Sequence, residues 1–297
     1  MAKYIIKGIN GFIGHAIAKR LLFDNNIVIG FGDETHDASE LFPEYSNYYS
    51  FPPKCTNLKN GFFYNADAFL DLAWHGYGKF TNDFKTQFDN LNNIYLSLLF
   101  CKNFSCKKYI FFNSSAAYKK DIKTGEYTSM YGAAKKSAER IARIKCNQFG
   151  IQYNSILFSV IFGNGDFSKR SVNIIIKKML NNDVINLTSA DSLYDWVYID
   201  DAVNGVISVV ENGVNGIEYY VGNRQPTKFI DIVLKTKNVL NSNSYLNFGK
   251  YIDSTYIDYS AINMNQLYKD TGFECICNFE KSIKKTAEWV KSLEWEV

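Results

Sequence analysis

Long hydrophobic runs and a strong net charge are both missing from this chain of 297 residues. No uninterrupted apolar stretch approaches the ~20 residues that cross a bilayer. The amino-terminal residues are typical of a strand rather than of a signal peptide. Thirty-three Lys and Arg against 30 Asp and Glu leave a formal charge of +3, without a dense basic block. These absences argue against membrane and nucleic-acid partners, and we expect a cytoplasmic protein.

Cysteine and histidine are also scarce. The six Cys are scattered along the chain and predict reduced thiols rather than a disulfide framework. Cys275 and Cys277 form a C-x-C pair without a matching second pair, and the three His form no helical pair. Structural zinc sites need such ligands in matched sets, so the sequence predicts no metal site.

Short apolar runs alternate with helical patterns, which is typical of an α/β protein. In the first half, the predicted strands are 4–7, 27–31, 68–73, 109–113 and 156–162, and the predicted helices are 14–23, 83–103 and 130–149. The pattern predicts a Rossmann-type, doubly wound parallel sheet with a smaller, mixed α/β, carboxy-terminal substrate lobe. We expect the Rossmann domain to comprise residues 1–163 with 196–221, and the substrate lobe 164–195 with 222–297.

Two further segments differ in how clearly their pattern predicts a structure. A helix is predicted over 227–240, with Thr227 as its N-cap because a threonine hydroxyl suits that position. Segment 42–60 holds three of the four prolines and matches neither a strand nor a helix pattern.

A glycine-rich turn follows the first predicted strand and opens the first predicted helix. Gly8 permits a tight turn, Gly11 lets the backbone approach a pyrophosphate, and Gly14 allows close packing of strand and helix. The amino terminus of the helix would present N–H groups to the phosphates. We therefore predict a dinucleotide site that also includes Asn10, Phe12 and Ile13. The spacing G-x-x-G-x-x-G matches the general fingerprint loosely, and a plain βα turn is the alternative.

An acidic residue at the end of the second predicted strand bears on the choice of cofactor. Asp33 lies about 20 residues after Gly14, where a carboxylate can bind the hydroxyls of the adenine ribose. A carboxylate there repels a 2′-phosphate, so the sequence favours NAD over NADP. The neighbouring Glu34 is an alternative for this role.

Tyr131 and Lys135 are four residues apart at the start of a predicted helix and therefore share one face. A nearby ammonium stabilises a phenolate, so such a Tyr can exchange a proton with a sugar hydroxyl or ketone. Ser114 follows the strand predicted over 109–113, at the sheet edge where such folds bind ligands. The alternative is a core Tyr, a solvated Lys and a loop Ser bonded to backbone.

Taken together, these motifs resemble the extended short-chain dehydrogenase/reductase family, the NAD-dependent epimerase/dehydratase group that acts on nucleotide sugars. They occur in family order over nearly the whole chain. The matching segments are the glycine turn 8–14, Leu72-Ala73-Trp74, Ser114-Ser115-Ala116-Ala117-Tyr118, Tyr131-Gly132-Ala133-Ala134-Lys135, Phe162-Gly163-Asn164-Gly165 and 194–201.

The resemblance implies roles for particular residues. Ser114 would be the catalytic hydroxyl, Tyr131 the acid/base and Lys135 the residue that holds the nicotinamide ribose. Additional contacts to NAD would come from Leu72, Ala73 and Asn90. Contacts to a nucleotide-diphospho-sugar substrate would come from Trp74, His75, Ser115, Asn173 and Tyr194. Family members often form homodimers through two helices per subunit, here 83–103 and 131–149.

The chain also departs from the family's pattern. Ser115 and Ala116 occupy the positions where 4,6-dehydratases carry Asp and Glu, so loss of water is disfavoured. Arginines that commonly contact the substrate are missing from 156–158, from position 194 and from 251–255. Arg suits a diphosphate because its guanidinium binds bidentately. Arg170, Lys177 and Arg224 are the candidates to replace them.

Two catalytic functions and one binding function remain open from the sequence. A 4-ketoreductase would use reduced cofactor from solution, whereas a 4-epimerase would keep NAD bound and return the hydride to the other face of the sugar. Both use Ser114, Tyr131 and Lys135, so the motifs do not separate them. The third function is a non-catalytic dinucleotide sensor or scaffold on the same fold.

Overall fold

The computed structural model describes residues 1–32, 38–52, 61–76, 78 and 80–294. The strands are β1 Lys3–Lys7, β2 Ile27–Phe31, β3 Tyr48–Phe51, β4 Ala68–Asp71, β5 Lys108–Ser114, β6 Lys119–Asp121, β7 Gln152–Phe158, β8 Val160–Phe162, β9 Ile185–Asn186, β10 Leu193–Tyr194, β11 Trp196–Tyr198, β12 Ile217–Val221, β13 Thr227–Lys228, β14 Leu246–Asn247 and β15 Thr255–Ile257. The α-helices are α1 Phe12–Phe23, α2 Phe84–Asn103, α3 Met130–Phe149, α4 Ser171–Asn181, α5 Ile199–Asn212, α6 Phe229–Val239, α7 Gln266–Thr271 and α8 Phe279–Lys291. Short 3₁₀ turns lie at Gly61–Phe63, Ser115–Tyr118 and Tyr259–Ala261.

Seven strands form one parallel sheet in the order β3-β2-β1-β4-β5-β7-β12. The chain moves outward from β1 to β3 in one direction, then returns to β4 and moves outward in the other. The crevice between β1 and β4 is therefore the topological switch point, where such sheets bind ligands at the carboxyl ends of their strands. The predicted Rossmann-type sheet is confirmed.

Helices cover both faces of the sheet, as its apolar strands require. Ile6 of β1 belongs to the core under α1 and α5, together with Ile17 and Val206. The neighbouring Ile5 points to the opposite face and belongs to the core under α2 and α3, together with Ile94. Because side chains of a strand alternate between faces, one apolar run supplies both cores.

The smaller lobe forms around α4, α6 and α8. Its buried cluster joins Ile175 and Met179 of α4 to Ile185 of β9 and Val233 of α6. Short strand pairs complete it: β9 pairs parallel with β14, and β10 pairs antiparallel with β13. A smaller mixed α/β lobe is thus present, while the residue boundaries given above for the two domains remain a prediction.

Three local differences from the sequence patterns have physical causes. The strand predicted over 156–162 is broken at Ser159, whose Oγ donates to the carbonyl of Asp195 at 2.5 Å. Beyond it, β8 leaves the main sheet and pairs with β11. Thr227 is not a helix cap: it pairs with Tyr194 in a ladder, and α6 begins only at Phe229. Segment 42–60 contains the edge strand β3.

Within the part of the chain that the structure describes, no helix is long and apolar enough to cross a membrane. The same residues contain no group of three His, Cys, Asp or Glu side chains arranged to hold a metal ion. Five cysteines lie in the described ranges, and each is a free thiol.

Candidate active site

The glycines of the turn between β1 and α1 allow backbone atoms to pack closely there. Gly8 has φ +87°, a conformation that favours glycine, and a Cβ on it would lie 2.9 Å from the backbone nitrogen of Ala73. A Cβ on Gly14 would collide with the carbonyl oxygen of Gly8. The N–H of Gly11 donates to that same oxygen at 3.1 Å, which closes the turn. Leu72 and Ala73, predicted to contact the cofactor, therefore lie against the glycine turn.

The first turn of α1 suits a phosphate ligand. Gly11 is its N-cap and provides no side-chain hydrogen bond, and the first turn carries no acidic residue. The N–H groups of Phe12, Ile13 and Gly14 have no acceptor within the helix, as at any helix amino terminus. Together with the missing Cβ atoms, this arrangement fits the pyrophosphate of a dinucleotide. Asn10 lies in the same turn, whereas the predicted ribose ligand Asp33 and its alternative Glu34 fall outside the described residues.

Two buried amides of α2 hold the loop that follows β4. Asn90 accepts from the N–H of His75 at 3.0 Å and donates to its carbonyl at 2.9 Å. Gln87 accepts from the indole N–H of Trp74 at 3.1 Å and donates to the carbonyl of Phe80 at 3.0 Å. Asn90, predicted at the cofactor site, thus fixes the loop from behind. The His75 side chain is exposed beyond it.

Ser114 lies at the carboxyl end of β5, as predicted. Its backbone N–H donates to the side-chain oxygen of Asn113 at 2.9 Å. Its Oγ accepts from the N–H of Ala116 at 3.2 Å and so caps the 3₁₀ turn that contains Ser115. Both Ser114 and Ser115 are only partly buried, which leaves them accessible at the end of the sheet.

Tyr131 is placed by contacts to the main chain at the start of α3. Ser129 caps the helix by accepting from the N–H of Gly132 at 3.1 Å, and the N–H of Tyr131 donates to the carbonyl of Thr81 at 2.9 Å. A Cβ on Gly132 would collide with the carbonyl oxygen of Ala116. The absence of that Cβ lets the first turn of α3 lie directly on the turn that follows Ser114, so the structure brings Tyr131 and Ser114 into the same region.

Lys135 lies one turn further along α3 and is buried, with only 5% of its surface exposed. Its Nζ donates to the carbonyl of Phe112 at 2.7 Å and lies 4.0 Å from the ring centroid of Trp74. The rings of Phe111 and Tyr131 lie at 5.1 and 6.0 Å. Burial lowers the pKa of Lys135 to about 7, while the charge of Asp71 acts in the opposite direction.

Trp74 contacts both Tyr131 and Lys135, while its predicted contact with the substrate stays a prediction. Its ring meets that of Tyr131 edge-on, with centroids 6.0 Å apart and planes at 89°. The residue thus contacts both predicted catalytic side chains, while its indole N–H is bound to Gln87.

Two other predicted substrate residues take part in the packing of the smaller lobe. Asn173 is fully buried in α4, and its amide donates to the carbonyls of Asp166 and Ser168. Tyr194 packs against Phe229 at the start of α6, with ring centroids 5.2 Å apart and ring planes tilted by 53°. The structure thus gives both residues contacts that organise this lobe, at a distance in sequence from the Ser114 and Tyr131 region.

The basic residues considered as substitutes for the missing arginines differ in their surroundings. Arg224 binds Glu274 at 2.6 Å, and Lys177 donates to the carbonyls of Val290 and Leu293 at the end of α8. Arg170 is exposed at the N-cap position of α4. Arg224 and Lys177 are therefore engaged in structural contacts.

A polar network behind Ser114 has no counterpart among the sequence motifs. Glu218 of β12 accepts from the amide of Asn113 at 2.7 Å and from the hydroxyl of Tyr118. Lys136, the neighbour of Lys135, donates to the same Tyr118 hydroxyl at 2.8 Å. The network links β5, the 3₁₀ turn, α3 and β12. In the sequence, only the polar character of Glu218 within an apolar strand could have drawn attention to it.

Comparison with known proteins agrees with this geometry. The sequence profile described as "NAD dependent epimerase/dehydratase family" matches residues 4–222. A UDP-glucuronate 4-epimerase from Thermodesulfobacterium geofontis is 24% identical over 98% of this chain and 97% of that protein. A dTDP-glucose 4,6-dehydratase from Shigella flexneri is 25% identical, but the match spans 54% of this chain and 47% of that protein.

Solved structures share the fold along nearly the whole chain. A UDP-glucuronic acid 4-epimerase from Bacillus cereus, in complex with UDP-glucuronic acid and NAD, superimposes with a TM-score of 0.79 at 18% identity, covering 98% of this chain and 99% of that one. A dTDP-glucose 4,6-dehydratase from Bacillus anthracis, in complex with NAD, gives 0.80 at 18%, covering 99% and 98%.

At such identities the solved structures establish the fold alone, whereas the sequence profile covers well over half of the chain. The family is defined by its dependence on NAD, which confirms the predicted cofactor. The glycine turn, the catalytic-type Tyr and Lys on α3 and the profile match agree: this chain belongs to the NAD dependent epimerase/dehydratase family.

Proposed function

We propose that the protein is a nucleotide-diphospho-sugar 4-epimerase that uses Ser114, Tyr131 and Lys135. The observation that carries the proposal is the arrangement on α3. Tyr131 lies beside the turn that follows Ser114, and the buried Lys135 ammonium lies one helical turn away, against the rings of Trp74 and Tyr131. Such a phenol and ammonium suit reversible proton exchange with a sugar hydroxyl.

Each side chain has a separate task in this reaction. Tyr131 accepts the proton of the sugar 4-hydroxyl and later returns it to the ketone oxygen. Lys135 stabilises the phenolate form of Tyr131 by its positive charge. Ser114 Oγ already accepts the N–H of Ala116, so its own hydrogen is available to a substrate oxygen. The turn from Gly8 to Gly14 would hold NAD, which would supply the hydride acceptor and donor for this exchange.

The residues after Ser114 disfavour a dehydratase. Elimination of water needs an acid for the leaving hydroxyl and a base for the neighbouring proton. The 3₁₀ turn at this point carries Ser115, Ala116 and Ala117, and none of these has a carboxyl group. Epimerisation at one carbon needs no such pair. It is also the activity named for the relative from Thermodesulfobacterium geofontis, which aligns along 97% of its length.

The experiment separates an epimerase from a 4-ketoreductase. Purified protein is incubated with UDP- and dTDP-sugars without added reduced cofactor, and the products are resolved by chromatography and NMR. Interconversion of 4-epimers supports the proposal. Consumption of added NADH in proportion to the loss of a 4-keto sugar would replace it by reduction. Binding of NAD without turnover of any sugar would favour a non-catalytic role.

We further propose that the protein is a homodimer through α2 and α3. These helices expose large apolar side chains to solvent: Phe84, Phe88, Tyr95 and Leu96 on α2, and Ile141 and Ile144 on α3. Exposed apolar surface of this kind is typical of a protein interface. Sedimentation equilibrium of the wild type should give a dimer, and Phe88→Glu should give a monomer. A wild-type monomer at micromolar concentration would contradict the proposal.

A further inference from the structure

A buried carboxylate lies beneath the candidate site at the carboxyl end of β4. Asp71 is 1% exposed, and its Oδ2 accepts from the hydroxyl of Tyr109 at 2.7 Å. Its Oδ1 is also buried and has no hydrogen-bond partner among the described residues. Nothing in the proposed reaction uses this carboxylate directly. A buried acid with one unbonded oxygen requires an explanation, because such groups are costly to bury.

The nearest cation to Asp71 is directed elsewhere. Lys7 of β1 lies 4.0 Å from Oδ1. The Lys7 ammonium donates to Ser97 Oγ at 2.8 Å and to the carbonyl of Asn93 at 3.3 Å, both on α2. Its hydrogen bonds thus go to α2 rather than to the carboxylate. The Asp71 carboxylate thus has a cation at 4.0 Å but receives no hydrogen bond from it.

The charge of Asp71 acts on Lys135. Asp71 pairs in register with Phe111 on the next strand, and the Lys135 ammonium lies 5.1 Å from the Phe111 ring. Trp74, three residues after Asp71 in the same segment, lies 4.0 Å from that ammonium. Asp71 therefore flanks the Lys135 pocket through both of these neighbours.

The other ionisable groups around Lys135 come from each element that packs there. On α3 they are Tyr131 and Glu139, and Glu139 is bound to Arg143. On the strands, Lys7 and Tyr109 lie against Asp71, and the thiols of Cys101 on α2 and Cys146 on α3 interact with Tyr109. The loop after β4 carries the exposed His75. Burial raises the pKa of both thiols and of Tyr109, which keeps these groups neutral. Asp71 is the negative charge that acts on Lys135.

We propose that Asp71 is a positioning residue for Lys135, whose buried ammonium it keeps protonated so that Lys135 can support Tyr131. The proposal rests on the function proposed above, in which Lys135 must carry its charge. Burial alone drives this ammonium towards its neutral form, because a buried cation loses the solvation of water. The opposite charge of Asp71 counteracts that tendency near neutral pH.

The sign of the pH dependence follows directly. Burial has lowered the pKa of Lys135 to about 7, and loss of the Asp71 charge lowers it further. An Asp71→Asn variant should therefore hold a smaller fraction of charged Lys135 at pH 7, with about fivefold lower turnover if the titration moves by about one unit. At about pH 5.5 Lys135 is charged in both proteins, and their turnover should agree within about twofold.

The decisive measurement does not depend on the substrate. The side-chain ¹³Cε resonance of Lys135, assigned by its loss in Lys135→Met, is titrated by NMR in the NAD-loaded wild type and in Asp71→Asn. We expect the titration to move to lower pH in the variant. Asp67→Asn is the matched control, because Asp67 lies just before the other end of β4 and pairs there with Lys107 at 2.7 Å. It should leave the Lys135 titration unchanged.

The outcomes separate the two proposals. An unshifted Lys135 titration in Asp71→Asn overturns the role of Asp71, whatever sugar the enzyme uses. A shifted titration with a turnover ratio that stays constant with pH overturns the link to Tyr131. If no sugar reacts, the proposed function fails, while the titration still decides the coupling. If Asp71→Asn does not fold, Asp71→Ser replaces it. If Lys135 of the wild type titrates above pH 10, the premise that burial lowers its pKa is wrong.

Discussion

The turn from Gly8 to Gly14 and the lobe around α4 and α6 present different kinds of groups to a ligand. The turn offers backbone N–H groups, held in place because Cβ atoms at Gly8 and Gly14 would collide with the backbone. Under the proposed function, the lobe would recognise the nucleotide sugar with side chains. Of the five arginines in the chain, Arg20 lies on α1, Arg140 and Arg143 lie on α3, and only Arg170 and Arg224 lie in the segments predicted for this lobe. Sites that depend on the backbone leave a strict sequence pattern, whereas sites that depend on side chains can be rebuilt with other residues.

The largest expected effect comes from a change at Tyr131, and it tests whether proton exchange depends on a residue that the sequence pattern predicts. Tyr131→Phe removes the hydroxyl but keeps the ring against Trp74. We expect turnover to fall by about 100-fold or more, because general acid/base groups contribute on that scale. NAD affinity, measured by calorimetry, should stay the same. Tyr127→Phe is the control, since Tyr127 is exposed. Turnover of Tyr131→Phe within twofold of the wild type would remove Tyr131 from the mechanism.

The next effect tests whether the turn tolerates a single added methyl group. Gly14→Ala places a Cβ against the carbonyl oxygen of Gly8, so the turn must shift. We expect a loss of about 2 kcal/mol in the free energy of unfolding and markedly weaker NAD binding. Thermal denaturation with and without NAD measures both. Gly61→Ala is the matched control, because a Cβ there meets no atom within 4 Å. Equal NAD affinity in the two variants would contradict the close packing.

A smaller effect is expected from a change in the polar network around Glu218, which the sequence motifs did not indicate. Glu218→Gln keeps the shape of the side chain but removes the charge that accepts from Asn113 and Tyr118. We expect kcat to fall by about fivefold with little change in KM, since a net hydrogen bond is worth about 1 kcal/mol. Glu274→Gln serves as the control, because Glu274 is bound at the surface to Arg224. A rise in KM alone would place Glu218 at the substrate rather than behind Ser114.

The smallest effect concerns the missing arginines of the substrate lobe. Arg224→Gln breaks the ion pair with Glu274, where surface pairs contribute about 0–1 kcal/mol. We expect KM for a nucleotide sugar to change by less than about twofold. Steady-state kinetics checks this. A tenfold rise in KM would contradict this and identify Arg224 as a diphosphate ligand. Both the glycine turn and the smaller lobe would then bind phosphate groups.

The sequence predicted the elements whose cause is local. The glycine turn is defined within seven residues, and Tyr131 and Lys135 share a face because an α-helix places residues four apart together. The role predicted for Asn90 at the cofactor site stays a prediction, and in the structure its amide holds the main chain of His75. The glycine turn and the shared helix face need no knowledge of distant parts of the chain.

The features that were missed depend on partners far away in the sequence. Ser159 breaks a predicted strand because it bonds to Asp195, 36 residues later. Asn113 meets Glu218 across 105 residues, and Asp71 meets Tyr109 across 38. Thr227 is drawn from a helix cap into a ladder with Tyr194. Only the assembled fold brings these pairs together, so local patterns could not have indicated them.

The contact between Gly132 and the carbonyl of Ala116 fixes both ends of the intervening stretch of chain. Within that stretch, β6 pairs with β15 and bears on the smaller lobe. Changes of length or composition there would fall on β6 and its turns and should leave the spacing of Ser114 and Tyr131 intact. The close contact of the two main chains thus makes the position of Tyr131 independent of the length of the segment that precedes it.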